Sequence, residues 1–233
     1  MGDHDVTLAS AIAVEARKAA SLPLMWGWTL TEVVVATLVA RALASSPIAA
    51  GSPGVLTQVP AYVMVVTIVG AVWLVVSEYT TRQVSRSLIS VPSRARLLAA
   101  KAVVVTGWAV GTGWIALGLA WAASNASRGA DVPPAILLGG VYLALMGLIA
   151  AALSVVLRGM IVSLTTALLL LVVAPPLVDA LTTYGPWLPT IAGQRLLDSV
   201  VPSAAQQPAA LTLAIWVIAT SIGAATRFMR SDA

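Results

Sequence analysis

Six stretches of this chain are long and apolar enough to cross a lipid bilayer, at about 24–44, 58–78, 98–123, 135–156, 160–183 and 209–226. A helix needs about 20 apolar residues to span the hydrocarbon. No water is present there to take up free N–H and C=O groups, so each stretch must be helical. Composition agrees: 59% of the 233 residues are hydrophobic and 9% are charged, against about 25% charged in soluble domains. Turn or charge signals separate the stretches, from Ser45-Ser46-Pro47 to Pro53-Gly54, Glu78 to Arg96, Asn125 to Pro134, Arg158-Gly159, and Tyr184 to Pro208. No internal repeat is evident, so the expected fold is an all-α membrane protein forming one domain over residues 1–233.

The basic residues then predict an orientation. With six spans, one side holds Arg17, Lys18, Arg82, Arg86, Arg94, Arg96, Lys101, Arg158, Arg227 and Arg230, and the other holds Arg41, Arg128 and Arg195. That asymmetry predicts both termini in the cytoplasm. The net charge of +4 is thereby a matter of topology and calls for no nucleic-acid partner. The start of the chain, MGDHDVTLAS, lacks a basic region followed by an apolar core, so no cleavable signal is expected. With no cysteine and only His4, thiolate chemistry, metal sites and histidine proton relays have little material.

Two segments outside the spans are expected to be ordered. Residues 7–21 place Leu8, Ile12, Ala16 and Ala19 on one helical face, with Asp5 or Thr7 to cap the start. This predicts an amphipathic helix lying at the membrane interface. In the loop 79–97, Val84, Leu88 and Val91 follow at helical spacing beside Arg82 and Arg86. Pro92 ends that helix, and Ser93 can cap the next, which carries Arg94 and Arg96 into the third span. Contact with anionic head groups accounts for the charge. An ordered helix-break-helix suggests docking to a partner as well.

Glu78-Tyr79, Leu88, Val91-Pro92, Arg94, Arg96 and Lys101 together resemble the signature of type-2 ATP-binding-cassette (ABC) transporter permeases. Trp187-Leu188-Pro189-Thr190-Ile191-Ala192-Gly193-Gln194 is similar to that family's element before the last span. Thr80, Arg82 and Gln83 depart from the family pattern. The resemblance implies the permease subunit of an ATP-driven bacterial exporter of drugs, antimicrobial peptides, lipids or polysaccharides. Glu78, Tyr79, Arg82, Val84, Arg86, Leu88, Val91, Pro92 and Arg94 would then form a cytoplasmic coupling helix and its flanks. ATP and Mg would be bound by a separate ATPase subunit, since the chain holds no G-x-x-x-x-G-K-[ST] loop. A second permease would complete a dimer in the cell membrane, and residues 184–208 would form an extracellular re-entrant region.

Four residues are candidates for a substrate path: Glu32, Trp73, Trp114 and Asp179. Intramembrane ionisable groups are costly and therefore functional candidates. Glu32 lies in the first span, where it either lines the path, favouring cationic amphiphiles, or pairs with a basic residue such as Lys101. Asp179 follows Pro175-Pro176, which either make a hinge or end the fifth span early; the early end is the expectation. Gly107 and Gly111 form a G-x-x-x-G, expected to serve internal packing before a dimer seam.

Two other classes compete with an ATP-driven permease. An intramembrane enzyme lacks support, because there is no G-x-S-x-G or H-E-x-x-H and Glu32, Asp131, Asp179 and Asp198 are dispersed. An ATP-independent secondary transporter would show repeats and paired broken helices, whereas only the fifth span is interrupted by prolines.

Overall fold

The computed structural model describes residues 7–46, 55–80, 93–124, 132–198 and 207–230. All the regular elements among them are helical. In chain order they are α1 (Leu8–Ser21), α2 (Pro23–Ala44), α3 (Val55–Thr80), α4 (Arg94–Ser124), α5 (Val132–Leu157) and α6 (Met160–Leu168). A π-helical turn (Leu169–Val173), α7 (Ala174–Leu181), a 3₁₀ turn (Gly185–Trp187), α8 (Pro189–Asp198) and α9 (Gln207–Arg230) follow. Six helical stretches are long and apolar enough to cross a membrane: α2, α3, α4, α5, the continuous run Met160–Leu181, and α9. They coincide with the six expected spans to within a few residues.

Local chemistry sets the ends. Thr7 caps α1, its hydroxyl accepting from the Ser10 amide at 3.3 Å. Pro23 occupies the first turn of α2, where its missing N–H costs nothing. Ser93 caps α4, with its carbonyl accepting from Leu97 and its hydroxyl from Arg96. Arg158 joins α5 to α6 in the left-handed region, at φ 58°, a conformation that usually falls to glycine at a helix end.

α3 and α5 are the enclosed pair, with roughly two-thirds of their apolar windows buried, against 22% for α2, the Met160–Leu181 run and α9. Around them α4 packs on α2 and α5, and α1 lies against α4. Two tryptophans of α4 sit in notches made by glycine. A Cβ on Gly70 of α3 would lie 2.4 Å from the Trp108 ring, and one on Gly140 of α5 would lie 2.2 Å from the Trp114 ring. Gly113 faces the Gly140 backbone, which lets α4 and α5 approach closely. Gly107 and Gly111 depart from expectation: a Cβ on either would meet nothing within 4 Å. Their G-x-x-x-G therefore takes no part in packing within the described chain.

The fifth span also departs from expectation. Pro175-Pro176 do not end it, because the helix runs through a π turn into α7 and stops at Leu181. Widening the turn accommodates the rings, but neither proline offers an N–H. The Leu171 carbonyl loses its partner in either register, at Pro175 for i→i+4 or at Pro176 for i→i+5. Thr190 supplies the replacement, its hydroxyl donating to the Leu171 carbonyl at 2.5 Å in a buried setting. α8 is thus fastened onto the break. Gly193 next in α8 presses on the Tyr142 ring, whose hydroxyl donates to Met64 Sδ at 3.0 Å, and Trp216 Nε1 donates to the Trp187 carbonyl at 2.8 Å.

Replacing Thr190 by Val should therefore leave the buried Leu171 carbonyl unpaired and destabilise the protein by about 1–3 kcal/mol. Thr190→Ser should retain most of that stability. Thermal unfolding of the two variants in the same detergent or lipid checks both expectations.

Candidate functional site

Two polar constellations stand out in a bundle otherwise filled by aliphatic side chains. The first lies at the α1 end, where the lower turns of α3 and α4 meet α1. Glu15 and Lys18 come from α1, Glu78 from the last turns of α3, and Lys101 from the second turn of α4. The four side chains close a ring of alternating charge. Lys18 Nζ meets Glu78 Oε1, and Lys101 Nζ meets Glu78 Oε2. Lys101 Nζ also lies 3.1 Å from Glu15 Oε2, and Lys18 Nζ 3.7 Å from Glu15 Oε1. Each carboxylate thus touches both ammonium groups, and the ring is neutral as a whole.

The ring is well shielded: the Glu15, Glu78 and Lys101 side chains are only 8%, 5% and 11% exposed. Charge taken out of water at this depth is tolerable only with geometric pairing of this kind. It also explains the orientation of α1. The stripe that α1 buries is Ala11, Glu15 and Ala19, while Leu8 and Val14 face outward. Of the expected face of Leu8, Ile12, Ala16 and Ala19, Ala19 is buried and Ile12 half-buried while Leu8 and Ala16 are exposed; the small alanines let the helix come close enough for Glu15 to reach Lys101. A partly open cavity of about 140 Å³ adjoins the ring, walled by Leu22, Trp73, Leu74, Val75, Val104 and Val105. A second, of about 70 Å³, lies beyond Lys101 between α3, α4, α5 and α9.

The second constellation is Glu32 with Thr67 and Thr112. Glu32 is fully buried, its Oε1 accepting from the Thr67 hydroxyl at 2.8 Å. The Thr112 hydroxyl lies beside the carboxyl group. Lys101 is not its partner, being held in the ring.

The structure brings only some of the expected site residues together. Glu78 belongs to the ring, and Tyr79 next to it lies under the Arg158 guanidinium, 5.6 Å from the ring centroid. Arg94 donates to the Met229 carbonyl at 3.5 Å, near the end of α9. Arg82, Val84, Arg86, Leu88, Val91 and Pro92 lie outside the described residues. Trp73 lines the larger cavity. Trp114 sits on Gly140 and donates to the Leu137 carbonyl at 3.3 Å, with its outer edge exposed. Glu32 lines neither cavity. Asp179 is exposed at the far end of the fifth span and packs against Gly185.

Sequence reasoning missed Glu15 and Lys18 as members of a site. The available signal was an acidic residue followed three positions later by a base in an alanine-rich helix, which reads equally well as a solvated face. Among the described residues no cluster of metal-ligating side chains occurs. A scan against models of known protein families finds no match, and a search of curated proteins finds none either.

Breaking the ring on one side should be costly. Lys101→Met leaves two buried carboxylates sharing one lysine and should destabilise the protein by about 3–5 kcal/mol. Removing the opposite charge as well, in Glu78→Gln with Lys101→Met, should recover a large part of that loss. A double-mutant cycle by thermal unfolding measures the coupling; additive losses would mean that the two groups are not paired.

Proposed function

We propose that this chain is the membrane-spanning permease subunit of an ATP-driven type-2 ABC exporter, moving an amphiphilic substrate out of the cytoplasm or the inner leaflet. The observation that carries the reading is the charged ring, because it grips both roots of segment 81–92. Glu78 closes α3 just before that segment, and Lys101 stands in α4 just after it. That segment carries the residues that resemble a coupling helix. A push on it by a partner would reach α3 and α4 through buried ion pairs, and would reach α1 at the same joint. Slack at either root would dissipate such a push within the loop. A pinned root transmits it.

In this reading the ATPase is a separate cytoplasmic subunit that binds ATP and Mg, and two permeases, identical or homologous, assemble side by side in a bacterial cell membrane. Both termini face the cytoplasm, as the distribution of Arg and Lys favours. The outward apolar side chains Leu30, Ile161, Leu211 and Ile215, each at least 60% exposed, suit a surrounding of lipid and a second permease. The larger cavity, with apolar walls and a charged rim, suits an amphiphile entering at the inner leaflet.

Purification from native membranes in mild detergent should bring down a stoichiometric ATPase subunit. Hydrolysis by that complex should rise with substrate, and Arg82→Ala with Arg86→Ala should abolish the stimulation while the subunits still co-elute. Transport by the purified chain alone, without ATP, would overturn the proposal.

A further inference from the structure

Glu32, Thr67 and Thr112 each stand near the middle of a membrane-spanning helix, the runs being Pro23–Ala44, Val55–Tyr79 and Arg94–Ser124. At a rise of about 1.5 Å per residue, Glu32 lies about 13 Å along α2. A carboxylate at that depth is expensive: insertion scales put an ionised side chain at the centre of a span at about 2.5–3.5 kcal/mol, and simulations put it higher. Such a charge persists where a counter-charge sits beside it. Glu32 has none among the described residues.

The surrounding groups can be named from each side. On α3, Thr67 donates to Oε1, while Glu78, far below, is in the ring. On α4, Thr112 lies beside the carboxyl, and Lys101, three turns below it, is held by Glu15 and Glu78. On α2 itself, Thr29 donates to the Met25 carbonyl and accepts from Trp108 Nε1 at 3.2 Å. Arg41, at the other end of α2, donates to the Ala123 carbonyl. No basic side chain approaches Glu32 within ion-pairing distance among the described residues.

Two buried oxygens are left over at this place. Glu32 Oε2 and Thr112 Oγ1 both lack a hydrogen-bond partner among the described residues, and they belong to neighbouring groups. The Thr112 hydroxyl can donate or accept, so what calls for a hydrogen here is the missing counter-charge: an ionised carboxyl at this depth would stand uncompensated. A hard metal ion would want about six or more oxygen ligands, and only two carboxyl oxygens and two hydroxyls are gathered here. A single proton suffices.

We propose that Glu32, Thr67 and Thr112 form a proton-binding site at the centre of the bundle. Oε2 carries the proton and donates to Thr112 Oγ1, and Oε1 accepts from Thr67. The carboxylate takes the proton from water when the seam between α2 and α4 is open, and holds it as a neutral acid when the seam closes. Reopening the seam to water returns the proton and leaves the carboxylate. Movement of α2 against α4 is in this way linked to one proton, whatever energy source drives it, so the site stands independently of the ATP-driven reading.

Infrared spectroscopy of the chain reconstituted in liposomes at neutral pH tests the site directly. A protonated carboxyl gives a carbonyl band, separate from the carboxylate bands, that shifts in D2O. Wild type should show it and Glu32→Gln should lose it. Thr112→Val should keep the band and move it to higher frequency, because the acid has lost its acceptor. That variant decides the matter even where Glu32→Gln fails to fold, since an unmoved band overturns the assignment. Absence of any band that depends on Glu32 overturns it too. So does thermal stabilisation by sodium or potassium over N-methylglucamine that requires Glu32 in place of the band, which would make the occupant a metal ion.

Discussion

Every buried backbone group in this protein must find its partner inside the protein, and the structure depends on that constraint more than on any single side chain. In hydrocarbon an unpaired carbonyl costs several kcal/mol, so the described residues are helical wherever they are regular. The constraint is most visible where regularity fails. Pro175 and Pro176 leave the Leu171 carbonyl without an amide in either helical register, and α8 brings Thr190 to that oxygen. α8 is therefore held by the defect it covers. Gly193 on Tyr142 and, just before α8, the Trp187 carbonyl to Trp216 tie it to α5 and α9 and keep the threonine in register.

Charge obeys the same rule with different means at different depths. At the α1 end the two acids and two lysines neutralise one another, and partial exposure of Lys18 leaves the ring in touch with water. At the centre no base among the described residues reaches Glu32, and the Thr67 hydroxyl donates to one oxygen of its carboxyl while Thr112 stands beside the group. The ring needs side chains long enough to reach between helices, whereas the central group needs only short threonines on tightly packed ones. Glycine makes that tight packing possible: Trp108 lies over Gly70, and its indole N–H reaches Thr29 one turn from Glu32.

The spans were legible because their signal is local. A run of about 20 apolar residues between charges or prolines carries its own evidence, as do the caps at Thr7 and Ser93. The ring was not legible, since Lys18 and Glu78 stand 60 residues apart in sequence and Lys101 and Glu15 stand 86 apart. Nothing in the neighbourhood of Glu15 distinguishes a ring member from a solvated acid. Glu32 was recognisable as costly, but its partners are two threonines among many. The prolines of the fifth span look like a stop because a missing N–H ordinarily breaks a helix; the donor that rescues this one lies 19 residues away. Which glycines pack was equally hidden, for Gly107 and Gly111 match a helix-packing motif and remain open, while isolated Gly70 and Gly193 lie under rings.

The composition of the ring bears on how it can move. α1 contributes one acid and one base, and α3 and α4 together contribute another acid and another base. If α1 lifts away, Glu15 and Lys18 remain a neutral i,i+3 pair, and Glu78 and Lys101 remain a neutral pair across the roots of segment 81–92. Neither half is left with an uncompensated charge, so the cost of parting is loss of cross-contacts and not the full penalty of a buried ion. A ring in which α1 supplied both acids would have locked it permanently, because withdrawal would strand two lysines. The observed arrangement is strong against loss of one member and compliant to separation along one line. Such a joint suits a helix that must stay docked in one state and shift in another.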